Sequence, residues 1–287
     1  GNVRSHSPAA TGVMFQTWAR AQGHSFYPGT FPNPLAMHNE VRVSYRNAVT
    51  AIQTAFGAGT VVNSAIGDGA ALLEFDPSIY NVDLHHHGNK LTVLAAMCHY
   101  TSIYGQLVCG ISPSFSPPSQ LGASLTAFGL NADDWWRLAG IADRCAARAL
   151  RMYPGSGDNL LLETGTTPGL VSACPRKQMT TGTFVEVRVS SRNGVYATAL
   201  AWLLLDLFPT GQPPLPNAMF PEVAVDVGSM GILLTSANLS SPLALSVQMP
   251  FTVQGASILV QGLAWAPSGE TGNMFFTTTD AHELVFF

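Results

Sequence analysis

Charge is scarce in this chain. Only 10% of the residues are charged, against about 25% in an average soluble domain. Just two of the 13 basic residues are lysines, Lys90 and Lys177, and the formal net charge is −4. A protein that neutralises nucleic-acid phosphates needs a basic stripe, so no nucleic-acid partner is expected. Also missing is an uninterrupted apolar run of about 18 residues, the length a membrane span requires. The nearest stretch, Leu91 to Ile111, is broken by His99, Thr101, Ser102 and Gln106 and suits a packed helix better. The four cysteines, Cys98, Cys109, Cys145 and Cys174, contain no CxxC pair. That excludes a zinc ribbon or a thioredoxin-type motif and leaves buried free thiols as the expectation. No charged-then-apolar leader follows Gly1.

What the chain has is apolar mass. Hydrophobic residues make up 47% of its 287 positions, which favours collapse over disorder. The length suggests about two domains. Residues 1–150 carry eight acidic and eight basic side chains and residues 151–287 carry nine and five, so the whole −4 falls in the second half.

Local patterning divides the chain in the same place. Strand-like runs over 12–18 and 60–66 alternate with helical spacing over 37–57, 90–109 and 131–151, with loops over 19–38 and 67–89. Asn131 is the expected N-cap of the last helix, with Asp133 and Asp134 in its first turn. This is α/β alternation, though short of strands for a covered parallel sheet. Gly and Pro at 154–169 read as a linker. Short strands follow at 183–190, 195–205, 222–228, 230–236, 243–249, 257–265 and 273–287, the pattern of an antiparallel sandwich or barrel. The expected division is therefore 1–152, a linker at 153–172, and a β-sandwich-like domain over 173–287.

The informative stretch runs from Asp76-Pro77 through Asp83-Leu-His-His-His-Gly88 to Leu94-Ala-Ala96. Asp83 and His86 stand three apart before a helix. This stretch resembles the last block of the SGNH (GDSL-type) hydrolases, in which an Asp-x-x-His loop precedes the final helix. Val62–Ala70 and Phe15-Gln-Thr-Trp-Ala-Arg20 resemble the strands leading to that block, so the likeness covers about residues 1–150. It implies a flavodoxin-like parallel sheet. It also implies that His86 is the general base and Asp83 its orienting partner. Histidine titrates near neutral pH, and a carboxylate fixes its tautomer and stabilises the imidazolium. Trp18 and Tyr27, with His24 and His38, follow the first strand, where ligands of open α/β sheets bind. Trp18 and Tyr27 are the candidate substrate-binding residues. The Gly-Asp-Ser nucleophile block of the family is not present, since Gly67-Asp68-Gly69 lacks the serine. By this likeness the chain is expected to be truncated at its front.

The resemblance thus implies a serine-type esterase acting on a small ester or an acylated carbohydrate. It needs neither metal nor cofactor, and its setting is secreted or on a bacterial cell surface. A different class remains open: a secreted glycan-binding or surface protein whose hydrolase-like half is inactive. A third reading makes His85 and His87, with Asp83, the ligands of a hydrolytic metal. Upstream sequence separates the first two and a metal assay tests the third. Trp135-Trp136 reads as a packing face, and Asp280-Ala-His-Glu283 as surface decoration. Oligomeric state has no signature in the sequence.

Overall fold

A computed structural model describes residues 5–215, 217–226, 228, 231–236 and 238–287. The chain divides into two compact units: Gly1–Asn131 with Cys145–Ala147, and Ala132–Arg144 with Arg148–Phe287.

In the first unit, β1 (Gly12–Phe15) pairs in parallel with β2 (Val61–Ser64), Gly12 opposite Val61 and Phe15 opposite Ser64. Helix α1 (Pro34–Phe56) joins them. The Asn33 side chain caps its first turn, Pro34 sits where its missing N–H costs nothing, and Gly57 ends it at a φ of 99°. Helix α2 (Ile66–Leu72) occupies a stretch whose glycines read as loop. Those glycines instead allow close packing. A Cβ on Gly67 would clash with the Thr17 carbonyl oxygen, and one on Gly69 would lie 2.9 Å from Leu94. Helix α3 (Asn89–Tyr104) buries Leu91, Leu94, Met97 and Cys98 and stops at Gly105, in the left-handed conformation, short of the end expected at 109. Helix α4 (Gln120–Ala127) is capped by Ser119.

In the second unit, helix α5 (Ala132–Cys145) carries Asp133 and Asp134 in its first turn and buries Trp135, Leu138 and Ile141. The strands are β3 (Leu160–Thr167), β4 (Val171–Ser172), β5 (Arg176–Met179), β6 (Phe184–Ser191), β7 (Ala201–Pro209), β8 (Gly231–Ser236), β9 (Leu243–Gln248), β10 (Ala256–Ala264), β11 (Thr277–Thr278) and β12 (His282–Phe286). One sheet has the order β4-β3-β6-β9 and is antiparallel throughout. The other has the order β5-β12-β10-β7-β8, with β11 beside β10, and is mixed because β12 and β5 run parallel. One core joins them: Leu160, Leu162, Val185, Val187 and Val189 meet Leu203, Ile258, Val260, Leu284 and Phe286. On the opposite face of the mixed sheet Leu204, Phe208 and Leu259 pack under Val223, Val225 and Phe276.

These sheets correct the expected fold class. The first half holds no flavodoxin-like sheet: among the described residues its strands form only the two-stranded β1–β2 pair. The second half is not an all-β antiparallel module, since it includes α5 and a parallel pairing. The division also differs from 152/173. Arg144 and Arg151 both bond to Asp280, and a Cβ on Gly140 would sit 2.9 Å from the backbone of Ala173 and Cys174, so α5 is built into the β-rich unit. Replacing Gly140 with alanine is expected to cost about 1–3 kcal/mol through overpacking, read as a lower urea midpoint with unchanged slope.

The linker reading of 153–172 gives way to β3, an eight-residue strand paired with β6 along its whole length. Gly165 belongs there because a Cβ would clash with the Leu170 carbonyl in the β3–β4 turn. The strand expected over 222–228 does not form at 222–226, and residue 227 lies outside the described residues, as does residue 230 of the strand expected over 230–236. Gln261 holds the 222–226 segment instead: its Nε2 donates to Glu222 O at 2.7 Å and its Oε1 accepts from the Ala224 amide at 2.9 Å. Asp280, His282 and Glu283 are buried, not surface decoration. Cys109 and Cys174 are disulfide-bonded, while Cys98 and Cys145 carry the free thiols. Among the described residues no helix is long and apolar enough to cross a membrane.

Candidate functional site

The Asp83–His86 loop projects between a short 3-10 turn, Pro77–Ile79, and α3. The Asp76 carboxylate caps that turn by accepting from the Ser78 amide at 2.8 Å. The loop then closes on itself. Gly88 N donates to Ile79 O, Asn81 N to His86 O and Leu84 N to Asn81 O, each at 2.9 Å. Leu84 takes a left-handed φ of 59° that turns the chain, and a Cβ on Gly88 would press to 2.9 Å from the Tyr80 carbonyl oxygen. A short loop tied at its base in this way positions its own side chains locally.

Asp83 organises the tip. Its Oδ1 accepts from the amides of His85 and His86, both at 3.0 Å, and its Oδ2 lies 2.6 Å from His86 Nδ1. The bond to the His86 ring, followed by the two amide bonds, holds the Asp83 carboxyl well below the usual carboxylate range. Asp83 is therefore ionised at neutral pH, so His86 Nδ1 carries the proton and Nε2 presents its lone pair. The His86 side chain is 66% exposed, and among the described residues Nε2 accepts no hydrogen bond. The link between Asp83 and its partner can be read in solution. A carboxyl ¹³C titration should place Asp83 below an ordinary aspartate, and His86→Ala should move it upward, because the largest cause of the depression is removed. The stabilisation from that pairing is present above the unfolded carboxylate pKa and is lost as pH falls through the depressed folded value.

The neighbouring histidines are held differently. Thr92 donates its hydroxyl to Gly88 O at 2.9 Å and therefore accepts from His87 Nδ1 at 2.7 Å. His87 thus shares the tautomer of His86 but has no carboxylate to stabilise an imidazolium. His85 stacks 4.3 Å from His86, ring centre to ring centre. Its burial, then the Arg20 guanidinium, push its pKa down. These three rings point to different partners, and among the described residues no group of three His, Cys, Asp or Glu side chains could hold a metal.

The segment after β1 supports the loop from one side. Trp18 Nε1 donates to His85 O at 3.1 Å and its ring meets His87 edge-on at 5.8 Å. Ala21 N donates to Leu84 O at 2.9 Å, and the buried Tyr80 hydroxyl donates to Ala19 O at 2.7 Å. His24 stands 6.1 Å from His85. Trp18 and His24 therefore adjoin the dyad loop. Tyr27 spends its hydroxyl on Arg20 O at 3.0 Å, beside Met37. His38 is elsewhere, buried with Nε2 3.3 Å from Asp68, which also accepts from Gln16 at 3.2 Å. Burial, then Arg42 and Arg46, push its pKa down to about 3, so it stays neutral. The residue that sequence reading passed over is Arg20. Its only signal there was adjacency to Trp18 and Ala19.

No protein-family model matches the chain, and no curated protein matches it. Among solved structures, one titled "Structure of T.fusca AA10A" is similar over 39% of this chain and 52% of its own, at 11% identity and a TM-score of 0.24. The chain thus spans about half the length of that structure.

Proposed function

We propose that Asp83 and His86 are the orienting and base members of a serine-type ester hydrolase, acting on a small ester or an acylated carbohydrate. The observation that carries this is the 2.6 Å contact between Asp83 Oδ2 and His86 Nδ1, made by a histidine whose other nitrogen faces solvent. The proposal rests on this locally built loop and not on any sheet topology. In the reaction, a seryl hydroxyl attacks the ester carbonyl while His86 Nε2 removes its proton. The imidazolium, held by Asp83, passes that proton to the departing alcohol. Water then hydrolyses the acyl-serine with the same base. No metal or redox cofactor enters these steps. The disulfide-bonded Cys109 and Cys174 support a secreted or cell-surface setting, where disulfides persist.

The test uses the protein expressed from its natural start codon, treated with a fluorophosphonate, a reagent that traps activated serines. The expected result is a single labelled serine, hydrolysis of a short-chain acetyl ester, and loss of both in His86→Ala. Absence of labelling together with absence of hydrolysis on a panel of acetyl esters would contradict the proposal.

A further inference from the structure

The peptide that joins His85 to His86 is bonded at both ends. Its carbonyl oxygen, His85 O, accepts from Trp18 Nε1 at 3.1 Å, and its N–H, on His86, donates to Asp83 Oδ1 at 3.0 Å. The same carboxylate reaches His86 Nδ1 through Oδ2 at 2.6 Å. One chain of hydrogen bonds thus runs from the Trp18 indole through this peptide to Asp83 and ends at the His86 ring. An indole has a single donor and no acceptor, so Trp18 commits its whole polar capacity here. The bonds that close the loop engage Ile79 O, Asn81 O and His86 O. None of them includes an atom of the His85–His86 peptide, so none fixes the plane of that peptide.

Trp18 is itself held against the loop. Ala19 O accepts from the Tyr80 hydroxyl at 2.7 Å and Ala21 N donates to Leu84 O at 2.9 Å. The indole ring meets Phe15 at 5.9 Å and His87 at 5.8 Å. A donor on the carbonyl side of a peptide polarises it and strengthens its N–H as a donor on the other side. Rotation of the peptide plane would take the His86 N–H off Asp83 Oδ1, leaving one amide where two now set the carboxylate. We infer that Trp18 is a positioning residue of the dyad, acting through the His85–His86 peptide to hold the Asp83 carboxylate on His86 Nδ1. Its effect on turnover rests on the ester-hydrolase reading; its hold on the dyad does not.

The experiment has two arms. In the first, the isotope-labelled 287-residue chain is compared with Trp18→Phe, which removes the indole N–H and keeps an aromatic ring beside Phe15 and His87. The His86 amide proton should move upfield as its bond to Asp83 weakens, and the Asp83 carboxyl should titrate closer to an ordinary aspartate. Phe15→Leu loosens the packing of the Trp18 ring but leaves its N–H, and should leave the Asp83 titration where it was. The reciprocal variant, Asp83→Ala, falls on an exposed side chain and should shift the Trp18 indole ¹⁵N–¹H signal, because the shared peptide is no longer held from its N–H side. An unchanged amide spectrum outside the loop shows that each variant is folded. A His86 amide and an Asp83 titration that ignore Trp18→Phe, or an indole signal that ignores Asp83→Ala, overturn the assignment.

In the second arm, the protein expressed from its natural start codon is assayed on a short-chain acetyl ester. Trp18→Phe should lower kcat by about two- to tenfold, the net worth of one hydrogen bond, and leave KM unchanged. A raised KM with kcat intact would overturn the positioning role and make Trp18 a contact of the substrate. Coupling between the indole and Asp83 in a protein that cleaves no acetyl ester would contradict the hydrolase reading and leave the hold on the dyad standing.

Discussion

Asp83→Asn is expected to lower kcat/KM for a short-chain acetyl ester by about 10⁴-fold, the scale seen when the orienting carboxylate of a triad becomes an amide. The asparagine is nearly isosteric, so the two amide bonds from His85 and His86 to its Oδ1 can persist. What changes is the side facing the ring. The amide nitrogen that replaces Oδ2 is a donor, and it forces His86 Nδ1 to accept. The proton then moves to Nε2, where the lone pair is needed. The loss should fall on kcat as well as on kcat/KM, because the imidazolium forms only as the reaction proceeds. A variant with unchanged activity would mean that the Asp83–His86 contact is only a loop brace.

The second large effect is on stability and belongs to the β-rich unit. Asp280→Ala is expected to destabilise by about 3–5 kcal/mol, the cost of stripping the partner from buried charge. Asp280 accepts from Arg151 at 2.8 and 3.0 Å and from the Gly155 amide at 2.8 Å, and stands 3.5 Å from Arg144. All three charged side chains are less than a tenth exposed. Calorimetry should show a fall in melting temperature of roughly 10 °C. Asp133→Ala, at an exposed position on the first turn of α5, should change it by no more than about 1 °C. A shift below about 2 °C for Asp280→Ala would show that solvent reaches the arginines.

The sequence made the regular elements legible where one periodicity was strong. Val41, Tyr45, Val49 and Ile52 announced α1, and the alternation over Phe184–Val189 announced β6. It misled where glycine was read as a breaker. Gly67 and Gly69 are packing contacts inside a helix, and Gly165 is a close backbone approach inside a strand; neither role shows in composition. The alternating Val223 and Val225 do face one sheet, but side-chain bonds from Gln261 hold that segment in place of a ladder. The same limit applies to the site. Asp83 and His86 are three residues apart, and a single loop brings them together, so spacing sufficed. The contacts of Trp18 with His85 and of Ala21 with Leu84 span more than 60 positions. Only the folded chain puts Arg20 beside the dyad. His38 illustrates the converse, since its place in the sequence suggested a cleft and burial made it a neutral core residue.

The three adjacent histidines give the most direct test, because they stand side by side on one loop and, among the described residues, only His86 has a carboxylate at Nδ1. His85→Ala, His86→Ala and His87→Ala should be compared in the protein expressed from its natural start codon, with kcat/KM measured on one short-chain acetyl ester. Loss of the base should cost about 10²–10⁴-fold in His86→Ala, while the other two should retain activity within about tenfold. Hydrolysis that survives His86→Ala and disappears in His85→Ala or His87→Ala would contradict the assignment of the dyad.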